Sequence, residues 1–239
     1  MAARSLGRGD CASNIYFTLP GVPGSQEAHP LTGADSFMIP RFARAEGEAE
    51  PHGGFGIWGG IQRIAVPRFL QKRRDAAFGF ACVRSEVEPR PENRVGIDPD
   101  LHDDCGIPAL RIECAWSERD ARSAQRARAD AEAMIDAAGG ERGPLQDHFP
   151  LAKRLGILDG LQDDWRLSTP GMFAHEVGGA RMSASPETGV VDPDCRVWDV
   201  PNVWVTDGAC WPSCGWQDPT LHMMALTTRA GQAALRDAP

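Results

Sequence analysis

The sequence predicts an α+β protein, a mainly antiparallel sheet with flanking helices. Three observations predict it. Short apolar runs with period-two character recur between residues 15 and 114, each bounded by proline or glycine. Two longer stretches, 117–138 and 219–235, carry helical spacing with start and stop signals. Hydrophobic residues make up 42% of 239 residues, enough for the core of one large domain or two small ones.

In chain order, Ile15-Tyr-Phe-Thr-Leu19 and Ser36-Phe-Met-Ile39 read as short strands, punctuated by Pro20, Pro23, Pro30 and Pro40. Glu46 to Glu50 reads as a solvated acidic turn. Gly54-Phe-Gly-Ile-Trp-Gly59 matches GxGxxG by letter. A dinucleotide fingerprint needs a strand before it and a helix after it. Here Glu48-Ala-Glu-Pro-His52 is polar and interrupted by proline, and Ile61-Gln-Arg-Ile-Ala-Val-Pro67 opens no helix. The cluster is read instead as a glycine-rich strand or turn packed close against something. Phe80–Val83, Arg94–Ile97 and Ala109–Cys114 read as further strands. In the last, Leu110, Ile112 and Cys114 share one face, with Arg111 and Glu113 on the other.

The helix at 117–138 opens on Ser117 with Asp120 three residues later, a capping box with Asp in place of Glu or Gln. Ala124, Ala127, Ala131, Met134, Ile135 and Ala138 form its apolar stripe, and Gly139-Gly140 ends it. A shorter helix is expected over Leu151–Leu158, a strand over Val203–Thr206, and a helix over Pro219–Leu235 with Asp218 as N-cap.

Composition excludes several functions. A net charge of -8 argues against nucleic acid or an anionic membrane as partner. Seven cysteines, an odd number without a CxxC pair, read as free thiols in a reducing compartment and not as a metal site. Arg4 and Arg8 precede no apolar run, and no window is long enough to cross a membrane. The expectation is a cytoplasmic protein.

The chemistry gathers between His175 and Arg229. A histidine titrates near neutrality and can accept a proton, and Gly178 and Gly179 leave the neighbouring backbone open. A histidine beside glycines is, by itself, more often a structural hydrogen-bonding residue. The helix start at Asp218-Pro219-Thr220 offers unpaired N–H groups at 220 and 221, which favour an anion. By itself it is only a capped helix.

The order of the pieces is more specific. His175-Glu-Val-Gly-Gly-Ala-Arg-Met182 is followed by Val190-Val-Asp192, Pro201-Asn-Val-Trp-Val-Thr-Asp-Gly208, Pro212, Pro219-Thr220 and an apolar helix ending in Arg229-Ala230. This order resembles the C-terminal part of the glucose–methanol–choline (GMC) oxidoreductases, flavoenzymes that oxidise alcohols and sugars. The wording is nearest to the bacterial branch related to pyranose and glycoside oxidases. Pro89-Arg-Pro-Glu-Asn-Arg-Val95 and Cys105-Gly-Ile-Pro-Ala-Leu-Arg-Ile112 resemble that family's substrate-domain sheet. The resemblance covers most of residues 85–235, and residues 1–84 read as a partial substrate-domain region.

The resemblance implies a substrate-domain sheet followed by the C-terminal strand–helix return of a FAD-binding domain. It implies FAD as cofactor and His175 as the base that takes the hydroxyl proton while hydride passes to flavin N5. Asp207 and Gly208 match the pair beside the cofactor, and Thr220 and Leu221 the helix-start amides at the flavin pyrimidine edge. Asp218 falls on the second catalytic position, where the family has His or Asn. His222, one turn on, is a substitute candidate. The family's N-terminal strand–GxGxxG–helix unit has no counterpart here. The implied protein is therefore the C-terminal half of a FAD-dependent enzyme oxidising CH–OH groups of alcohols or sugars, with a separate FAD-binding half as partner. The alternative is a non-catalytic partner or carbohydrate-binding remnant. Either way, apolar surface should be exposed where the missing half would lie, with Trp204, Trp211 and Trp216 the candidates.

Overall fold

The computed structural model of the chain describes residues 10–20, 36–40, 54–61, 68–73, 75–158 and 175–236. The acidic turn expected at 46–50 lies outside them. The chain divides into two compact units that interleave in sequence. A sheet unit comprises Cys11–Ser85 and Ala121–Ser168, and a site unit comprises Met1–Asp10, Glu86–Asp120 and Thr169–Pro239.

The sheet unit is built on five strands: β1 (Asp10–Pro20), β2 (Ser36–Ile39), β3 (Phe55–Ile61), β4 (Ala76–Glu86) and, later in the chain, the two-residue Glu141–Arg142. Their order is β2-β3-β4-β1 with Glu141–Arg142 at the far edge. The pairings of β2 with β3, β3 with β4, and β1 with Glu141–Arg142 are antiparallel. Alternation along each strand sends Ile15, Phe17, Leu19, Ile57, Ala77, Ala81 and Val83 to one face, where they are buried.

The long helix falls where the sequence places it, over Glu118–Ala137. Its Ala127, Ala131 and Ile135 join that buried cluster, and the small alanines let helix and sheet approach closely. Gly139, at φ 76°, ends it in a Schellman motif. Its N–H bonds Asp136 O at 2.9 Å and the Gly140 N–H bonds Ile135 O at 2.8 Å.

The glycine cluster at 54–59 is the start and body of β3 and not a phosphate loop. A Cβ on Gly59 would sit 2.2 Å from the Phe80 carbonyl oxygen and 2.5 Å from the Phe37 ring, so the missing side chain serves strand packing. The expected helix at 151–158 is shorter, Pro150–Arg154. Gly156, at φ 70°, turns the chain out of it.

The site unit contains a separate two-stranded ribbon, β5 (Arg94–His102) and β6 (Pro108–Glu113), paired antiparallel. It also holds the capping box of the long helix. The Asp120 N–H donates to Ser117 Oγ at 3.1 Å, and the Ser117 N–H donates to Asp120 Oδ2 at 2.7 Å. Asp120 is buried, and its other carboxylate oxygen accepts the Glu88 N–H at 3.0 Å. The carboxylate thus accepts two backbone donors, one inside the capping box and one outside it.

The strand expected at Val203–Thr206 is reduced to one bridge, Arg196 with Trp204. The neighbouring bonds, Val197 N–H to Val203 O and Val205 N–H to Cys195 O, run to a turn rather than to an extended partner. That turn is fixed by Asp192 Oδ1, which accepts the N–H groups of Asp194 and Arg196, and Cys195 within it adopts φ 67°. The C-terminal helix covers Thr220–Arg236.

Candidate active site

His175 and the residues predicted around it all lie in the site unit, on loops and one helix end. Three backbone bonds hold the segment after His175 against the segment after Asp207. The Gly178 N–H donates to Gly208 O at 3.2 Å, Ala180 to Ala209 O at 2.8 Å, and Met182 to Cys210 O at 2.6 Å. Gly178 sits at φ 87°, where glycine is favoured.

Gly208 is buried, and a Cβ there would lie 2.7 Å from the Met223 methyl and 3.1 Å from a Val177 methyl. It therefore brings the His175 segment, the Asp207 segment and the C-terminal helix together. The Asp207 carboxylate accepts the Ala209 N–H at 2.8 Å and caps the short 3-10 turn Gly208–Cys210.

The C-terminal helix begins one residue later than expected. Its first bond runs from the Met223 N–H to Pro219 O at 3.0 Å, which puts Pro219 at the N-cap and Asp218 just outside. The amides of Thr220, Leu221 and His222 precede that ladder and carry the positive end of the helix dipole. The helix is tied down by the Thr227 hydroxyl, which donates to Thr206 O at 2.9 Å, and by Arg229, which donates to Pro193 O.

The Asp218 carboxylate also lies near the imidazole of His175. Its Oδ1 lies 3.6 Å from His175 Nε2. The imidazole is 20% exposed and the carboxylate 61% exposed. A carboxylate at that distance can orient the ring, and an exposed pair of this kind is weak because water screens it.

His222 turns elsewhere. Its ring meets the edge of Trp211, with centroids 6.0 Å apart. Both line a cleft of about 580 Å³ that also takes in Met182, Pro212, Gln217 and Arg229. The structure thus pairs His175 with Asp218 and separates His222 into the cleft. Trp211 as a cleft wall was missed in the sequence; its position between Cys210 and Pro212, on the loop running to the helix start, was the available signal.

Trp211 and Trp216 are 8% and 6% exposed and Trp204 is half-buried, which corrects the expectation that these rings form open apolar surface. Trp211 and Trp204 pack with a cluster of Val177, Val191, Cys195, Cys210 and Cys214. The Cys195 and Cys210 sulfurs are 4.0 Å apart. Burial, with the neighbouring Cys195 thiol, pushes the Cys210 thiol up to about 12, so it stays protonated and unreactive. None of the described cysteines forms a disulfide. Among the described residues no cluster suits a metal ion, and no helix is long and apolar enough to cross a membrane.

The residues present fit one edge of a flavin. The helix-start amides of Thr220 and Leu221 suit a ring that gathers negative charge. The described residues around Gly54–Gly59 form a strand and do not fit a dinucleotide pyrophosphate.

Comparison with known proteins gives the family. Residues 89–227 match the family described as GMC oxidoreductase. The chain is 32% identical over 143 residues to the 2-methyl-1,2-propanediol dehydrogenase of Mycolicibacterium austroafricanum, covering 60% of this chain and 22% of that protein. It is 30% identical over 155 residues to the C-glycoside 3-oxidase of Arthrobacter globiformis, covering 64% and 26%. It is 30% identical over 166 residues to the fructose dehydrogenase large subunit of Gluconobacter japonicus, covering 69% and 27%. The matched stretch is thus about a quarter of each of these relatives. Among solved structures, pyridoxine 4-oxidase from Mesorbium loti shares the fold with a TM-score of 0.50 at 16% identity, over 99% of this chain and 44% of that one.

Proposed function

Because this chain belongs to the GMC oxidoreductase family, we propose that it is the C-terminal part of a FAD-dependent enzyme that oxidises CH–OH groups of alcohols or sugars. The observation that carries the reading is the His175–Asp218 pair, 3.6 Å apart at a helix start whose amides are open. When bound, FAD supplies the hydride acceptor. Everything else in the proposal concerns this chain's own residues. Neutral His175 takes the hydroxyl proton, which raises electron density on the oxygen and favours hydride departure. Asp218 steadies the imidazolium that results. Gly208 lets the turn fixed by Asp207 pack against Met223 and Val177, which holds that turn beside the proposed cofactor edge. The amides of Thr220 and Leu221 favour the negative charge that accumulates on reduction.

The flavin-binding portion is proposed to come from outside these residues. The C-terminal helix supports this, since it leaves Leu221, Met224 and Leu235 at 74%, 63% and 78% exposed. A stripe of that kind marks a surface built to be covered. The test is co-expression with the flavin-binding portion of a relative, followed by a visible spectrum and anaerobic mixing with alcohols and sugars. A bound flavin that bleaches with substrate is the expected result. A flavin-loaded complex that no alcohol or sugar reduces overturns the assignment and favours the non-catalytic alternative.

A further inference from the structure

The ribbon β5–β6 is amphipathic in an unusual direction. Its register pairs Val95 with Ile112 and Ile97 with Leu110, which puts all four side chains on one face. Ile97, Leu110 and Ile112 are 66%, 68% and 62% exposed there, and Leu101 and Ile107 are 61% exposed near the turn. The opposite face is already satisfied: Glu113 pairs with Arg94 and, at 2.8 Å, with Arg111. The turn is well built, because Asp103 Oδ1 accepts the N–H groups of both Cys105 and Ile107 at 2.9 Å. Two strands with an uncovered apolar face are marginal in water, so this ribbon needs a partner.

Two observations select the occupant. The family match at 89–227 contains the whole ribbon, yet the aligned stretch is only 22 to 27% of the relatives' length. A relative therefore has about three quarters of its chain available to rest on the matched part. A second copy fits less well. A stable dimer buries about 20 to 30 residues a side, whereas the ribbon's strands hold 9 and 6 residues and show half of them on this face. Asp98, Asp100, Asp103 and Asp104 crowd its turn end, so two copies would bring like charges together.

We infer that the apolar face of β5–β6 is a docking surface for the flavin-binding portion, which meets it with an apolar patch and a basic rim facing the Asp-rich turn. The inference rests on the reading of the chain as part of a flavoenzyme, and its test separates the two. The probe is the part of the Mycolicibacterium dehydrogenase outside its match, co-expressed with this chain. In a flavin-bearing complex, hydrogen exchange across 94–113 should slow at least about ten-fold relative to the chain alone. Ile97→Asn with Leu110→Asn should weaken the complex by about ten-fold or more. A second arm needs no partner: the same double variant of the chain alone should bind less of a dye that reports exposed apolar surface. A flavin-bearing complex with unchanged ribbon exchange overturns this inference and leaves the enzymatic reading standing. A discrete dimer of the chain alone with a protected ribbon overturns it in favour of a second copy. Unchanged dye binding in the double variant overturns it too, since the face would then be covered already. Failure to form any flavin-bearing complex overturns both.

Discussion

In the sheet unit the buried side chains come from regular elements, Ile57 and Val83 from strands and Ala127, Ala131 and Ile135 from one helix. In the site unit the buried cluster of Val177, Val191, Cys195, Cys210 and Cys214 comes largely from turns and loops. The first is held by repeating ladders over a shared apolar layer. The second is held by individual bonds, such as Asp207 to Ala209 and Thr227 to Thr206. The difference teaches how labour is divided. The regular unit repeats one kind of bond over one layer, whereas the loop-built unit places single polar groups beside one another and leaves large apolar side chains exposed.

The largest expected effect tests whether chemistry belongs to the site unit alone. A positioned base contributes about 100- to 10,000-fold in rate. In the reconstituted enzyme, His175→Ala should slow flavin reduction by at least about 100-fold on that scale while flavin content and melting temperature stay put. Anaerobic stopped-flow absorbance reads this directly. Equal rates would remove His175 from the mechanism and turn attention to His222.

The converse experiment strikes the sheet unit. Ile57 is 2% exposed in its core. Truncation to alanine should cost about 2 to 5 kcal/mol in chemical denaturation. The His175–Asp218 geometry should survive below the transition, giving an unchanged reduction rate. A loss of rate without a loss of stability would dissolve the division between the units.

A smaller effect is expected at Asp218, because its carboxylate is 61% exposed. Exposed pairs contribute about 0.2 to 1 kcal/mol. Asp218→Asn should therefore lower the reduction rate by no more than about five-fold, and helix content should not change because Asn and Asp are equally good at a helix start. A collapse in rate would mean that the carboxylate takes part in the proton transfer itself.

The mildest prediction concerns acid. Burial lowers the His148 pKa below 6.5, opposed by its bonds to the Gly143 and Tyr16 carbonyls. The unfolded chain then binds the proton more readily than the folded one. Stability from this residue is complete above about pH 6.5, the unfolded value, and is lost as pH falls from there through the lower folded value. Melting curves at neutral and mildly acidic pH should show the sheet unit weakening. His148→Gln should flatten that dependence, and a slope that persists in the variant would assign it to other groups.

What could be read from the sequence follows the same division. The long helix was legible because its stripe repeats and Gly139 closes it. Strands β3–β6 were legible from alternation or glycine content, though their order was not, since pairing is settled by residues far apart. In the site unit the motif order singled out His175, Asp207, Gly208, Asp218 and Thr220 as candidates. Their mutual geometry was not legible. The approach of the Asp218 carboxylate to His175 joins residues 43 positions apart, which no local pattern marks. The strand expected at Val203–Thr206 failed because its apolar alternation faces a turn fixed by Asp192. The tryptophans misled, since ring size alone does not say whether a loop folds over it.

The three bonds that join 178–182 to 208–210 run from amide to carbonyl and involve no side chain. The spacing between the candidate base and the candidate cofactor edge is therefore written in the number of peptide units along two short runs. Within either run, adding or removing a single codon shifts every following donor off its acceptor and moves His175 away from Gly208. Between the runs the exposed stretch at 186–188 makes none of these bonds, so extra codons there leave the distance intact. Length variation among descendants of this gene should accordingly collect at that turn and be purged from both runs.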